Sequence, residues 1–259
     1  MKTNPNCKIN LGLQITGKRP DGYHNLETIF LPVDTFRDEL EIVPTDGQPL
    51  MVQTGIALDS EPNDNLCMKA WQLLHRQFDI PAVEIRLHKC IPYGAGLGGG
   101  SSDAAFTLKM LNEMFHLHLD STALTERAAQ LGADCAFFIA NRPCYATGIG
   151  DRLTPIDIDL SHYDITILIP NGEHVSTREA YAGLAPIEDN AAYHTDLRQA
   201  VQKPIELWTE LIHNDFEISV FRSHPAIAAC KQALYDGGAV YAAMSGSGAA
   251  VYGLTPRKR

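Results

Sequence analysis

The sequence predicts a fold of mixed α and β class, in which antiparallel or mixed sheets pack with amphipathic helices. Strict alternation of apolar and polar residues over 7–17 indicates a β-strand. Apolar stripes at helical spacing over 65–78 and 102–115 indicate helices. The third observation is a glycine-rich segment, residues 92–102, which separates a predicted strand from a predicted helix.

The N-terminal half begins with strands. In the first, Ile9 and Leu11 face one way and Lys8 and Asn10 the other, so we expect one buried face. Pro20-Asp21-Gly22 then gives a turn. Further strands are predicted at 26–33, 39–43, 50–54 and 83–87, and helices at 65–78 (N-cap Asp64 or Asn65), 102–115 and 121–131, the last stopped by Gly132 at C′.

The C-terminal half mixes helices with three strands. We place a domain boundary near Leu153, which gives an N-terminal lobe of residues 1–152 with the glycine-rich segment and a C-terminal lobe of residues 153–259. Strands are predicted at 164–169, 239–244 and 249–254, and helices at 177–183, 197–202, 205–212 and 226–235.

Composition excludes several classes of protein. The formal net charge is −10, which argues against a nucleic-acid-binding protein. No apolar run has the roughly 20 residues that span a bilayer, and no apolar signal core follows Met1, so we expect a cytoplasmic protein. The six cysteines form no C-x-x-C pair and are expected to be reduced. His116 and His118 lack a third ligand, so no metal site is predicted there.

The glycine-rich segment is the strongest functional signal. Five glycines in seven residues would destabilise a regular element, but they suit a backbone that approaches a ligand closely. A helix follows, and its N-terminal N–H groups and dipole favour phosphate. The serine hydroxyls add donors to phosphate or an oxygen ligand to Mg²⁺. We therefore predict nucleotide phosphate binding by Pro92, Tyr93, Gly94, Ala95, Gly96, Leu97, Gly98, Gly99, Gly100, Ser101 and Ser102.

Two other nucleotide-binding motifs are alternatives for this segment. It lacks the lysine of the P-loop G-x-x-x-x-G-K-[ST]. It does match G-x-G-x-x-G through Gly94, Gly96 and Gly99, with Asp120 at the spacing of a ribose-binding acid. Only residues 116–119 remain for the second strand of such a fold, which weakens the match. A dehydrogenase is therefore kept only as an alternative.

Several motifs, in order along nearly the whole chain, resemble those of the GHMP kinases. The segment from Pro92 to Ala105, with G-L-G-G-G-S-S-D-A-A, resembles the phosphate loop of that family. The other matching segments are Lys8-Ile9-Asn10-Leu11 with Gly22-Tyr23-His24, Gly132-Ala133-Asp134 with Phe137-Phe138, and Met244-Ser245-Gly246-Ser247-Gly248-Ala249. One departure is Cys135-Ala136, where the family has Val-Pro after the aspartate.

The resemblance implies a two-lobed α+β fold with the active site in the cleft between the lobes. It implies ATP with Mg²⁺ as phosphate donor. The form of the motifs is most similar to the members that phosphorylate the 2-hydroxyl of 4-diphosphocytidyl-2-C-methyl-D-erythritol (CDP-methylerythritol) in non-mevalonate isoprenoid (terpenoid) biosynthesis. No nucleic-acid or membrane partner is expected, and the protein is expected to be a monomer or a weak homodimer.

The resemblance also implies roles for single residues. Asp134 is the catalytic base and Lys8 its charged partner, whereas position alone leaves Asp134 equally open to being a helix N-cap. Asn10 binds substrate oxygens and Thr177 is a polar contact. Tyr23 stacks on the cytosine, His24 reads its edge, and Tyr181 is the second aromatic.

Two alternatives remain within the same fold. One is a GHMP kinase of the homoserine or mevalonate type, which would have no use for a cytosine pocket. The other is a catalytically silent sensor, against which the presence of both Lys8 and Asp134 speaks.

Overall fold

The computed structural model describes residues 1–57, 64–184 and 194–257. These residues form two compact units whose chain segments interleave. Of the described residues, unit 1 contains those within 1–7, 36–93 and 98–142, and unit 2 contains those within 8–35, 94–97 and 143–259. This division differs from a single cut near Leu153, which stays a prediction. Within the described ranges, no helix combines the length and apolar character needed to cross a membrane.

Unit 1 contains a four-stranded sheet in the order β1-β4-β6-β5. Its strands are β1 (Lys2–Thr3), β4 (Glu39–Pro44), β5 (Leu50–Gly55) and β6 (Val83–Lys89). β4 pairs antiparallel with both β1 and β6, whereas β5 pairs parallel with β6, so the sheet is mixed as predicted.

Helices of unit 1 supply the rest of its core. They are α1 (Leu66–Phe78), α2 (Gly99–Met114), α3 (Ser121–Leu131) and α4 (Cys135–Ala140). Asn65 caps α1 as predicted, because its side chain accepts a hydrogen bond from the N–H of Cys67. Asp120 caps α3 in the same way through the N–H of Ala123, so its carboxylate serves the helix and not a ribose. α3 ends at Leu131, and the predicted stop at Gly132 is confirmed, since Gly132 is the C-cap residue; its φ of 173° is extended backbone.

Unit 2 contains a four-stranded sheet and a three-stranded sheet. The first sheet consists of β2 (Asn6–Lys18), β3 (His24–Arg37), β7 (Cys144–Thr147) and β8 (Arg152–Pro155), in the order β2-β3-β7-β8. The second consists of β9 (Tyr163–Leu168), β10 (Tyr241–Met244) and β11 (Val251–Pro256), in the order β10-β11-β9. The first two residues of β2 and the last two of β3 belong to unit 1.

The helices of unit 2 enclose a core that includes Leu13, Val175, Phe216 and Ile227. They are α5 (Thr177–Ala182), α6 (Leu197–Ala200), α7 (Trp208–Leu211), α8 (Glu217–Ser223) and α9 (Pro225–Asp236). The predicted helix 205–212 is interrupted, because residues 205–207 form a 3₁₀ turn before α7. The abundance of both helices and sheets confirms the α+β class.

The prediction of one buried face for the first strand is wrong. β2 is buried on both faces from Asn6 to Ile15, so Lys8, Asn10 and Gln14 are buried polar residues. Burial of Lys8 and Asn10 is possible because each has hydrogen-bond partners from distant segments.

Candidate active site

The glycine-rich segment has the backbone geometry that glycine alone adopts without strain. Gly94, Gly96 and Gly98 have φ angles of 65°, 77° and 71°. At Gly96 a Cβ atom would lie 2.0 Å from the carbonyl oxygen of Ser245, so no larger residue fits. These glycines are required by close approach and by the turn, which argues against a simple flexible surface loop.

Helix α2 begins earlier than predicted. It starts at Gly99 and not at Ser102, because Gly98 turns the chain into the helix from a left-handed conformation. Gly99, Gly100 and Ser101 therefore form its first turn, whose N–H groups have no intrahelical acceptor. These donors lie at the positive end of a 16-residue helix, an arrangement that favours an anion.

The chain leaves unit 1 after Tyr93 and returns to it at Gly98. Between these points, residues 94–97 are held in unit 2 through their carbonyl oxygens. Ala95 accepts from the N–H of Ala250 at 3.1 Å, and Leu97 from the N–H of Lys8 at 2.9 Å. The Gly96 carbonyl accepts from the Ser245 hydroxyl at 2.9 Å.

Lys8 and Asn10 form a buried pair on one face of β2. The Nζ of Lys8 lies 2.5 Å from Oδ1 of Asn10 and 3.0 Å from the carbonyl oxygen of Gly96. The amide nitrogen of Asn10 donates to the hydroxyl of Thr28 at 3.1 Å. The lysine predicted as catalytic is therefore fixed beside the glycine-rich segment within unit 2.

Asp134 lies in unit 1, at the residue before α4. Its backbone is helical (φ −80°, ψ −11°), and its side chain makes no capping hydrogen bond. A capping aspartate has extended backbone and accepts from the second or third helical N–H. The helix-cap interpretation of Asp134 is therefore disfavoured, while its pairing with Lys8 stays a prediction.

The residues predicted for the cytosine lie in unit 2. The rings of His24 and Tyr181 stack with centroids 4.8 Å apart and an interplanar angle of 20°. Tyr181 also meets the ring of Phe216 edge-on at 4.9 Å. Burial, together with the nearby charge of Lys18, lowers the pKa of His24, which favours a neutral imidazole. Tyr23 lies outside this stack and is 63% exposed.

Thr177 is the first residue of α5, which also carries Tyr181. Ser176 caps this helix through the N–H of Glu179. The hydroxyl of Thr177 lies 3.4 Å from that of Ser247, in the turn between β10 and β11. The structure thus brings the predicted Thr177 next to the C-terminal glycine motif.

Sequence reasoning missed two polar residues that support this turn. Asn214 is buried, and its amide nitrogen donates to the carbonyl oxygens of Met244 and Gly246, both at 2.8 Å. Ser245 is fully buried; its hydroxyl accepts from the N–H of Asn10 and donates to Gly96. Ser245 stood inside a matched motif, whereas nothing in the pattern around Asn214 indicated this contact.

Among the described residues, no group of three or more histidine, cysteine or acidic side chains could hold a metal ion.

Comparison with known proteins places the chain among the GHMP kinases. Residues 65–142 match the family described as GHMP kinases N terminal domain, and residues 197–259 match GHMP kinases C terminal. The crystal structure of a mevalonate kinase from Methanococcus jannaschii has a TM-score of 0.69 and covers 98% of this chain, with 90% of that chain covered. At 14% identity this likeness concerns the fold alone.

Closer relatives narrow the family. A 4-diphosphocytidyl-2-C-methyl-D-erythritol kinase from Bacteroides thetaiotaomicron is 51% identical over 259 residues, covering 98% of this chain and 92% of the relative. A crystal structure of 4-(cytidine 5'-diphospho)-2C-methyl-D-erythritol kinase has a TM-score of 0.81 at 31% identity, and the match covers 98% of this chain and 90% of that one. The chain therefore belongs to the 4-diphosphocytidyl-2-C-methyl-D-erythritol kinase family, a branch of the GHMP kinases.

Proposed function

We propose that this protein transfers the γ-phosphate of ATP to the 2-hydroxyl of CDP-methylerythritol, a step of non-mevalonate isoprenoid biosynthesis. The observation that carries the proposal is 51% identity over nearly the whole chain to a relative named for this reaction. Homoserine and mevalonate kinases share the fold at about 15% identity, which gives no support for their substrates.

The donor site is the segment from Pro92 to Ser102. N–H groups at the start of α2 would bind the phosphates, with the left-handed glycines allowing the backbone to come close. The hydroxyl of Ser101 would contact phosphate or Mg²⁺, whereas the Ser102 side chain is fully buried and its hydroxyl has no hydrogen-bond partner among the described residues. Mg²⁺ bound with ATP would offset the negative charge of the phosphates.

The chemical step would use Asp134 and Lys8. The acceptor's 2-hydroxyl oxygen forms a bond to the γ-phosphorus, the bond from that phosphorus to the β,γ-bridging oxygen breaks, and ADP leaves. Asp134 accepts the hydroxyl proton as general base. Lys8, buried and anchored by Asn10 and Gly96, supplies positive charge that favours the carboxylate and the developing alkoxide.

The acceptor's cytosine would be recognised in unit 2. Stacking on Tyr23 and Tyr181 gives affinity, and a neutral His24 offers one donor and one acceptor to the base edge. Thr177 and Asn10 would bind polar groups of the rest of the molecule. We further propose a cytoplasmic monomer or weak homodimer; its six cysteines form no C-x-x-C pair, which suits a reducing compartment.

The proposal is tested with purified protein, ATP, Mg²⁺ and CDP-methylerythritol. ADP release should depend on the acceptor, and ³¹P NMR should show a new phosphate monoester on the methylerythritol carbon chain. ADP release at the same rate without acceptor, or none at all, would contradict the proposal. Binding of both ligands without turnover would favour a silent sensor.

A further inference from the structure

Lys89 is the last residue of β6, and its ammonium group is buried in unit 1 between two carboxylates. Its Nζ donates to Oδ2 of Asp103 at 2.8 Å and to Oδ2 of Asp38. All three side chains are at most 3% exposed. Although burial alone would lower it, the two carboxylates raise the pKa of Lys89, so the lysine stays charged.

The two carboxylates lie at opposite ends of the glycine-rich segment. Oδ1 of Asp38 accepts from the N–H groups of Cys90 and Ile91, at 2.6 and 2.8 Å, immediately before Pro92. Asp103 lies in α2, one residue after Ser102. Through these two carboxylates, Lys89 connects the backbone just before the glycine-rich segment with helix α2, which follows it.

The first residue of α2 packs directly on this cluster. A Cβ atom at Gly99 would lie 3.2 Å from Nζ of Lys89 and 2.8 Å from Cγ2 of Ile91. The start of the helix is therefore seated on the lysine with no room for a side chain between them. Its position depends on where Lys89 and Ile91 are held.

Stability alone is a weak reason for this arrangement. Removing a lysine and two acids from water carries a desolvation penalty that their mutual attraction often does not exceed, and burial raises the pKa of Asp103 to about 7. Apolar side chains of similar volume would fill the space as well. β6 already places Val83, Ile85 and Leu87 in the core at the preceding inward positions. What the charged cluster adds is a fixed, directional connection between strand and helix.

We propose that Lys89, Asp38 and Asp103 are positioning residues for ATP, which hold the first turn of α2 in the orientation that phosphate binding requires. The inference rests on the proposed function of the glycine-rich segment as the ATP site. The three residues act through the backbone at residues 90–91 and 99–103 and not by contact with the nucleotide.

The test measures donor and acceptor separately in Lys89→Met and Asp103→Asn. The dissociation constant of the ATP analogue AMP-PNP with Mg²⁺ is measured by calorimetry, and KM for each substrate by ADP release. We expect the AMP-PNP Kd and the KM for ATP to rise at least about tenfold in Lys89→Met, since displacements near 1 Å have effects of this size or larger. Asp103→Asn should raise the same two constants by a smaller factor, because the amide oxygen of asparagine still accepts a hydrogen bond from Lys89. KM for the acceptor should stay near the wild-type value in both.

Arg86→Met is the matched control. Arg86 lies on the same strand, but it is exposed and pairs with Glu84 and Glu41 at the surface. Arg86→Met should leave the AMP-PNP Kd and the KM values of both substrates unchanged.

Urea denaturation identifies the variants that fold, and if Lys89→Met does not, Asp103→Asn carries the test alone. A folded variant with wild-type AMP-PNP affinity would overturn the inference, as would equal rises in both KM values, which indicate general loosening. Failure of the wild type itself to bind AMP-PNP would instead overturn the proposed ATP site and this inference with it.

Discussion

The ammonium nitrogen of Lys8 lies 2.5 Å from the amide oxygen of Asn10, on the same face of strand β2. Both side chains are buried, and Lys8 also donates to the carbonyl oxygen of Gly96. A lysine on an exposed strand face samples many rotamers, whereas this one is held by two oxygens. Preorganised charge of this kind stabilises a transition state without rearrangement at the moment of reaction.

Replacement of Lys8 should therefore affect the chemical step. We expect Lys8→Met to lower kcat by roughly 10²- to 10³-fold, the range seen when a preorganised charge donor is removed. ATP affinity should change little. Steady-state kinetics with ADP detection measures this, and Lys2→Met, which removes an exposed lysine paired with Glu41, is the control. A near-normal kcat in Lys8→Met would remove Lys8 from the mechanism.

Asp134→Ala separates a base from a helix cap, since alanine removes both functions whereas asparagine would still cap a helix. As a base, Asp134 contributes about 10²- to 10⁴-fold to kcat, and its substitution should leave folding stability nearly unchanged. Asp120→Ala is the matched control, because Asp120 does cap α3; it should lose about 1 kcal/mol of stability with activity retained. Urea midpoints and kcat are measured for both. If Asp134→Ala loses as much stability as Asp120→Ala and keeps its kcat, Asp134 is a helix cap and not the base.

Gly96→Ala tests the close approach of the glycine-rich segment to the turn at Ser245. Alanine at a positive φ costs roughly 1–2 kcal/mol, and here its Cβ would also meet the Ser245 carbonyl oxygen at 2.0 Å. Gly238→Ala is the control, since φ is 95° there and nothing lies within 4 Å. Both variants should lose stability, but only Gly96→Ala should lose turnover. Equal turnover in the two would mean that the geometry at Gly96 is irrelevant to function.

Substrate affinity should depend on Tyr181 and His24. Tyr181→Ala is expected to raise KM for CDP-methylerythritol roughly 10- to 100-fold, following a stacking energy of ~1–3 kcal/mol per base. Stacking acts in the ground state and the transition state alike, so kcat should move much less. His24→Ala should raise this KM further, because hydrogen-bonding groups of the base are also left unpaired.

KM for ATP is the internal control for both variants. A loss of kcat instead of a rise in KM would place these residues in the chemistry. No change in either parameter would place the cytosine site elsewhere.

Much of the fold followed from local patterns. The alternation in β2, the cap Asn65 and most helices could be identified, because period and capping chemistry are encoded within a few residues. The sequence pattern indicated Asp120 only as a ribose-binding acid, and the structure identifies it as the cap of α3. Burial of both faces of β2 could not, since the partners of Lys8 and Asn10 come from Gly96 and Thr28, far along the chain.

One missed feature did leave a signal. Val83, Ile85 and Leu87 mark the inward positions of β6, and Lys89 continues the same parity immediately before the glycine-rich segment. A lysine at a core position requires buried hydrogen-bond acceptors, but Asp38 and Asp103 lie elsewhere along the chain, and only the folded structure identifies them. The prediction for the first strand was wrong for a related reason. Alternating polar residues can face solvent or can be buried with hydrogen-bond partners, and the alternation alone does not distinguish the two.

The most direct test of the proposed function compares acceptors in one assay. ADP release is measured with CDP-methylerythritol, methylerythritol phosphate, homoserine and mevalonate, each at several concentrations with saturating ATP and Mg²⁺. We predict that kcat/KM for CDP-methylerythritol exceeds that of methylerythritol phosphate by at least roughly tenfold, the discrimination that loss of base stacking alone would give, with homoserine and mevalonate weaker still. Equal kcat/KM values for the acceptors with and without cytidine, or a preference for homoserine or mevalonate, would contradict the account.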